Sequence, residues 1–487
     1  MTHRLPSRTA VALVCAHWLL TSCAATAQAV WPDPKPDPAP APIHLAVRPN
    51  FQAPSATHCA RPVTTREVPG WPAGDAQARR AAPAMEPSER AASTEDRLRP
   101  EPAPPALARS EPAPVAEGHA AAPAAQQAPR APQDLAPRQL PSPSVTAGVV
   151  DDNADFHGYL AFRDRTSVPH RPREVRERYL LEVKDRRGQG VGDAEVAVRA
   201  RNGSAMWART DTGGHAWLHP DAFDSMGAGQ YDVLVRKDGR EAASRLVRGQ
   251  KSSVEVIMDV APPPARARLD LVFLIDATGS MADEIDKLKA SLRAITAEVA
   301  GLPSRPDICL GLVAYRDRGD AFLLRSHDFS KDVGAFLQQA LGPLQARGGG
   351  DYPEAMNEGL HEAVHQLSWR GAGTTRMLVL LADAPPHLDY GAPHYDEDML
   401  AALGKGIKVF SVGASGLDRQ GEFIQRQIAQ YTGGKFVFLT YADAHRPGSG
   451  PGRQTVHDVH NYSVDTLDRL VVRLVAEELA LAGRRGN

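Results

Sequence analysis

The four cysteines in a chain of 487 residues include no C-x-x-C pair, and with two of them at the amino terminus neither a metal cage of that spacing nor a disulfide framework is expected. Cys15 lies in an apolar run and Cys23 just beyond it, which leaves Cys59 and Cys309 for the body of the chain. Stability is therefore expected to rest on packing alone. An excess of one charge is missing as well: 56 Lys and Arg face 58 Asp and Glu, a net charge of −2. No global field exists to hold nucleic acid or an anionic membrane, so a nucleic-acid partner is not expected. Aromatic residues make up only 6%. The apolar run Thr9 to Leu20 is too short to remain as a membrane span, and G-x-S-x-G and Walker A loops do not occur.

Proline is plentiful but unevenly spread, with 25 of the 41 between Trp31 and Val150. Proline removes backbone donors, and the surrounding Ala, Gln, Ser and Glu offer little apolar surface to offset the entropy of ordering. Residues 30–150 are expected to form a disordered Pro/Ala-rich tether. Roughly 330 residues then remain for folded structure, enough for one large core and one small one.

Residues 1–29 have the parts of an export signal: Arg4 and Arg8, the apolar run, then small residues. Leu20-Thr21-Ser22-Cys23 resembles the lipobox of bacterial lipoproteins, which implies a lipid-modified Cys23. Ala24 after that cysteine resembles outer-membrane sorting. Ala25-Thr26-Ala27 and Ala27-Gln28-Ala29 are alternative cleavage sites that would give a soluble secreted product. The expectation is an exported outer-membrane lipoprotein, periplasmic or surface facing, touching the membrane only through its lipid.

Within residues 175–260 the pattern alternates. Tyr179, Leu181 and Val183, then Val196 and Val198, then Tyr231, Val233 and Val235, then Val254, Val256 and Met258 mark short strands separated by turns such as Asp211-Thr212-Gly213-Gly214. This spacing predicts a small all-β sandwich. The turn chemistry resembles carboxypeptidase-regulatory-like or transthyretin-like modules. Just before it, Phe156, Tyr159 and Leu160 have helical spacing and could dock on a folded face.

Residues 266–484 change period again. Apolar runs at Leu269 to Ile275, Ile308 to Tyr315, Met377 to Leu381, Val409 to Val412 and Phe436 to Leu439 read as buried strands. Helical patterns lie between and after them, at about Ala282 to Leu302, Lys331 to Leu341, Pro353 to Leu367, Asp396 to Gly404, Gln420 to Tyr431 and Val464 to Leu481. Alternating units of this kind imply an α/β, doubly wound, mainly parallel, Rossmann-like sheet. Its working site would sit at the carboxyl ends of the strands.

The first strand ends there in Asp276-Ala277-Thr278-Gly279-Ser280. A carboxylate and two hydroxyls two residues apart can converge on one hard cation, and oxygen-only ligation favours Mg²⁺, Ca²⁺ or Mn²⁺ over zinc. This D-x-T-G-S resembles the metal-ion-dependent adhesion motif of von Willebrand factor type A domains. The resemblance implies a divalent cation, most readily Mg²⁺, held by Thr278, Ser280 and Asp276, with Asp383 in Leu380-Leu381-Ala382-Asp383-Ala384 as the last carboxylate. Where most of the family places a threonine, this chain has Gly348-Gly349-Gly350-Asp351-Tyr352-Pro353-Glu354, similar to the A domains of some atypical kinases. Asp351 is the candidate ligand there, and Asp317 and Asp320 are candidate outer groups.

His361-Glu362-Ala363-Val364-His365 spells H-E-x-x-H, the pattern by which zincins hold zinc and place a general base. It lies on a helix whose sheet-facing side is supplied by Leu360, Val364 and Leu367, so a structural role is expected. His387, His394, His457 and His460 are the available third ligands for a zinc site. The function expected is a binding or adhesion protein that engages a protein partner through its metal site and is not an enzyme. The alternatives are a zinc metallohydrolase on His361 and His365, or a non-catalytic envelope scaffold.

Overall fold

The computed structural model describes residues 59, 65–70, 145–261, 266–350, 352–371 and 373–481. The export segment with Cys23, most of the expected tether, and Asp351 lie outside the described residues.

The large sheet runs in the order Thr65–Val68, Leu324–Ser330, Asp307–Tyr315, Arg268–Asp276, Thr374–Ala382, Ile407–Gly413, Phe436–Thr440, Thr146–Val150, Val464–Thr466. Its five middle strands, Asp307–Tyr315 through Phe436–Thr440, are parallel. Each comes from an apolar run read above, because a strand buried on both faces cannot alternate with polar residues. The pleat then sorts its side chains. Leu269, Leu271, Phe273 and Ile275 pack on one face with the helices Ile285–Ala300 and Leu467–Leu481. Val272 and Leu274 pack on the other, with Met356–His365, Tyr395–Lys405 and Arg419–Thr432. The helix expected at about Lys331 to Leu341 is present as an α-wound start, Val333–Ala335, that runs on into a wider, π-wound segment, Phe336–Leu341.

Two of the sheet's outer strands come from the stretch expected to be tether. Thr65–Val68 pairs antiparallel with Leu324–Ser330, and Thr146–Val150 lies between Phe436–Thr440 and Val464–Thr466. Both are short proline-free runs within a proline-rich composition, so each keeps the backbone donors that a sheet edge uses. Cys59 and Cys309 form a disulfide across 250 positions. This corrects the expectation that packing alone stabilises the chain, since a covalent link now ties residue 59 to a central strand.

Residues 179–258 form a three-stranded sheet, His215–Leu218, Tyr179–Asp185, Ser253–Met258, and a four-stranded one, Ala205–Arg209, Glu195–Ala200, Gln230–Lys237, Arg240–Val247. A single turn of helix, Pro220–Phe223, interrupts the strands. Leu181, Val183, Val196, Val198, Tyr231 and Val233 are all buried. Charged side chains join this region to the amino ends of the parallel strands. Asp193 accepts from Arg376 at 2.8 Å and Arg209 at 3.0 Å, while Lys408 meets Asp211 at 3.1 Å and Glu478 at 2.8 Å. Ahead of it, Asp155 caps the helix Phe156–Arg165 through the Gly158 amide, and Tyr159 and Phe162 are buried. Leu160 stays half-buried.

Candidate metal centre

At the carboxyl end of Arg268–Asp276 the chain turns sharply into a 3-10 segment, Gly279–Asp283. The turn is pinned by Asp276, whose Oδ1 accepts the Thr278 amide at 2.9 Å and the Thr278 hydroxyl at 2.7 Å. Thr278 Oγ1 lies 3.1 Å from Ser280 Oγ, and Asp383, which follows the strand Thr374–Ala382, stands near enough to Asp276 for that charge to raise its carboxyl. Four of the five residues singled out from the motif are thus brought together. Asp276 and Thr278 are buried and Ser280 is exposed, so the group opens outward.

The glycine loop docks on this turn through main-chain bonds, Arg347 amide to Ala277 carbonyl at 3.0 Å and Gly279 amide to Gly348 carbonyl at 2.9 Å. Glycine is required there. Gly348 and Gly349 have φ of +82° and +76°, and a Cβ on Gly348 would fall 2.2 Å from Asp320 Oδ1. Asp320 accepts the amides of Gly349 at 2.9 Å and Asp317 at 3.1 Å, so it shapes the loop. Asp317 accepts from the Tyr390 hydroxyl at 3.0 Å. Beyond the loop, the Tyr352 hydroxyl donates to the Gly416 carbonyl at 2.9 Å and accepts the Asp418 amide at 2.8 Å.

Glu354 is the group to which sequence reading gave no role. It is 3% exposed, and its Oε1 would stand 2.7 Å from a Cβ on Gly349. Asp276 Oδ2, Asp383 Oδ1 and Glu354 Oε2 are all buried without a hydrogen-bond partner. Burial raises the Asp276 carboxyl to about 6. Burial and the Asp276 charge raise Asp383 to about 7. Burial, then the charges of Asp276, Asp317, Asp320 and Asp383, push Glu354 up to about 9. Buried oxygens without donors, on groups that disfavour each other's ionisation, form a donor set suited to a hard divalent cation.

The H-E-x-x-H helix is put together differently from a zincin. Glu362 Oε1 accepts from Ser326 Oγ at 2.7 Å and its other oxygen pairs with Arg66, on the side facing the sheet edge. His361 and His365 face the helix Tyr395–Lys405 instead. Among the described residues no histidine joins them.

A profile of the von Willebrand factor A domain matches residues 270–389. The alpha-protein kinase vwkA of Dictyostelium discoideum is 28% identical over 139 residues, 28% of this chain and 22% of that protein, so the chain spans about a fifth of its relative's length. Among solved structures, the pilus adhesin SpaC of Lactobacillus rhamnosus GG in its open conformation aligns with 42% of this chain and 29% of its own, at 19% identity and a TM-score of 0.26. That likeness is too slight to bear on function.

Proposed function

We propose, from the von Willebrand factor A domain that this chain contains, that the protein is an exported binding protein whose domain engages a protein partner through a divalent-cation site. The observation that carries this reading is the trio of buried, partnerless oxygens on Asp276, Asp383 and Glu354. Thr278, Ser280, Asp276 and Asp383 would hold the ion, with Asp351 contributing from the glycine loop. A bound Mg²⁺ would supply positive charge at the exposed mouth beside Ser280, available to an oxygen ligand from a partner.

Export is supported by the Cys59–Cys309 disulfide, since such links persist in oxidising compartments. A lipid on Cys23 remains part of the proposal, and no helix among the described residues is long and apolar enough to cross a membrane. The reading is of a non-enzyme. A zincin would need its glutamate beside the two histidines, whereas Glu362 is held by Ser326 and Arg66.

Calorimetric titration of Mg²⁺ into the EDTA-treated full chain tests the site, followed by pull-down from envelope extracts with and without EDTA. One equivalent of Mg²⁺ bound by the wild type and lost in Ser280→Ala, together with an EDTA-sensitive partner, is the expected result. Equal binding by wild type and variant would overturn the assignment.

A further inference from the structure

The second cluster of ligating side chains lies between two helices, Met356–His365 and Tyr395–Lys405, on one face of the sheet. His361 and His365, one turn apart on the helix Met356–His365, stack their rings with centroids 4.4 Å apart. Both aim a nitrogen at one atom of the next helix: His361 Nδ1 and His365 Nε2 each lie 3.0 Å from Asp398 Oδ1. The three ligand atoms fall within 4.8 Å of one another.

The environment suits an ion better than it suits the hydrogen bonds alone. Asp398 is 4% exposed in its side chain, and its second oxygen, Oδ2, is buried with no hydrogen-bond partner. A buried carboxylate that shares one oxygen between two imidazoles and leaves the other bare is under-satisfied. Lys405, the neighbouring cation, is tied to the Val364 carbonyl at 2.7 Å. The imidazoles themselves are 43% and 31% exposed, so solvent reaches them from outside while the carboxylate anchors them from within.

We propose that His361, His365 and Asp398 form a zinc-class transition-metal site that links the helices Met356–His365 and Tyr395–Lys405 and leaves a coordination position open to solvent. Tetrahedral bonds of about 2.0 to 2.1 Å require ligand atoms roughly 3.3 Å apart, and the two nitrogen-to-oxygen separations of 3.0 Å already approach that spacing. Two imidazole nitrogens and one carboxylate oxygen select Zn²⁺, Co²⁺ or Ni²⁺ over Mg²⁺ and Ca²⁺. Loading needs little rearrangement. Each ring gives up its hydrogen bond to Asp398 and carries its proton on the other nitrogen, and Asp398 exchanges two donors for one cation. The site is distinct from the oxygen-only centre at the strand ends, and with Glu362 turned away it is a binding site and not a hydrolase.

The test uses the full chain, stripped with EDTA and returned to excess Mg²⁺ so that any oxygen-ligand site is saturated. Zn²⁺ is titrated by calorimetry, and Co²⁺ by the visible absorption that a tetrahedral site produces. One tight equivalent is expected in the wild type. It should be lost in the His361→Gln/His365→Gln variant, and Asp398→Asn should weaken it by roughly tenfold or more. Circular dichroism checks that the variants are folded, and Asp398→Asn must shift affinity without changing Mg²⁺ binding. Ser280→Ala should keep the zinc equivalent, which separates this site from the proposed cation site. Absence of a stoichiometric equivalent in the wild type, or its persistence in the double histidine variant, would overturn the proposal.

Discussion

At the amino ends of the parallel strands, buried carboxylates meet cations. Asp193 has Arg376 and Arg209, Asp211 and Glu478 share Lys408, and Asp270 holds Arg370 through its main-chain amide at 2.7 Å and Nε at 2.6 Å. At the carboxyl ends of the same strands Asp276, Asp383 and Glu354 face one another, and no ion pair among the described residues reaches any of them. The two ends contain similar chemistry with opposite pairing. Charge matched inside the protein fixes how its parts join, whereas buried charge left unmatched makes the folded state depend on something brought from outside.

If that contrast is right, the largest effect of a single change should be at the paired end. Arg376→Met removes a cation whose side chain is 1% exposed and leaves Asp193 buried with a weakened set of partners. A loss of about 3 to 5 kcal/mol is expected, read by denaturant unfolding of the metal-loaded protein. A change below about 1 kcal/mol would show that the joint does not depend on this pair, and the comparison would fail at its firmer half.

The sheet was largely legible because strands covered on both faces become unbroken apolar runs such as Leu269 to Ile275. That Asp276, Thr278 and Ser280 come together could be read because a fixed spacing at a strand end is local information. The remaining features depend on distance in sequence. Glu354 gains its character from Asp276, from Asp317 and Asp320 of one loop, and from Asp383, three stretches far apart in sequence, and no spacing rule describes that. Cys59 lay in a stretch whose composition suggested no structure, so its pairing with Cys309 could not be anticipated. The third group beside His361 and His365 was sought among histidines, but a carboxylate from the following helix fills that place. Asp351, the most unusual residue of the glycine loop, lies outside the described residues.

The joint also contains a base kept neutral. His219 is wholly buried, stacked on Tyr431 with ring centroids 5.1 Å apart, and burial lowers it from its ordinary value near 6.5 to about 3. Below the ordinary value the unfolded chain binds a proton that the folded chain refuses. Stability from this group is therefore complete above about pH 6.5 and falls by roughly 1.4 kcal/mol per pH unit as acid is added, toward pH 3. By about pH 4 the wild type should have lost close to 3 kcal/mol more than His219→Gln. Parallel stability curves for the two proteins would show that His219 accepts its proton in the folded state.

A smaller effect with the opposite sign belongs to the unpaired end. Asp383→Asn should abolish the rise in melting temperature that Mg²⁺ gives the EDTA-treated wild type, while the metal-free variant should melt higher than the metal-free wild type. Thermal scans with and without Mg²⁺ read both quantities. A variant that still responds fully to Mg²⁺ would remove Asp383 from the proposed site.

The smallest effect expected is at Glu354. In EDTA-treated protein its carboxyl is held at about 9, so at neutral pH the folded chain carries it protonated while the unfolded chain ionises it. Folding must then take up a proton, at a cost that Glu354→Gln avoids because an amide is neutral in both states. After allowance for solvent screening the variant should be more stable by about 1 to 2 kcal/mol at neutral pH. The gain should shrink as the pH falls to about 4, where the unfolded glutamate is protonated as well. A gain at neutral pH that vanishes in acid marks a penalty on the charge, whereas a loss at every pH would mean that the carboxylate makes a favourable contact. In that case the two ends of the sheet would not differ as described, and Glu354 would have to be regrouped with the paired acids of the base.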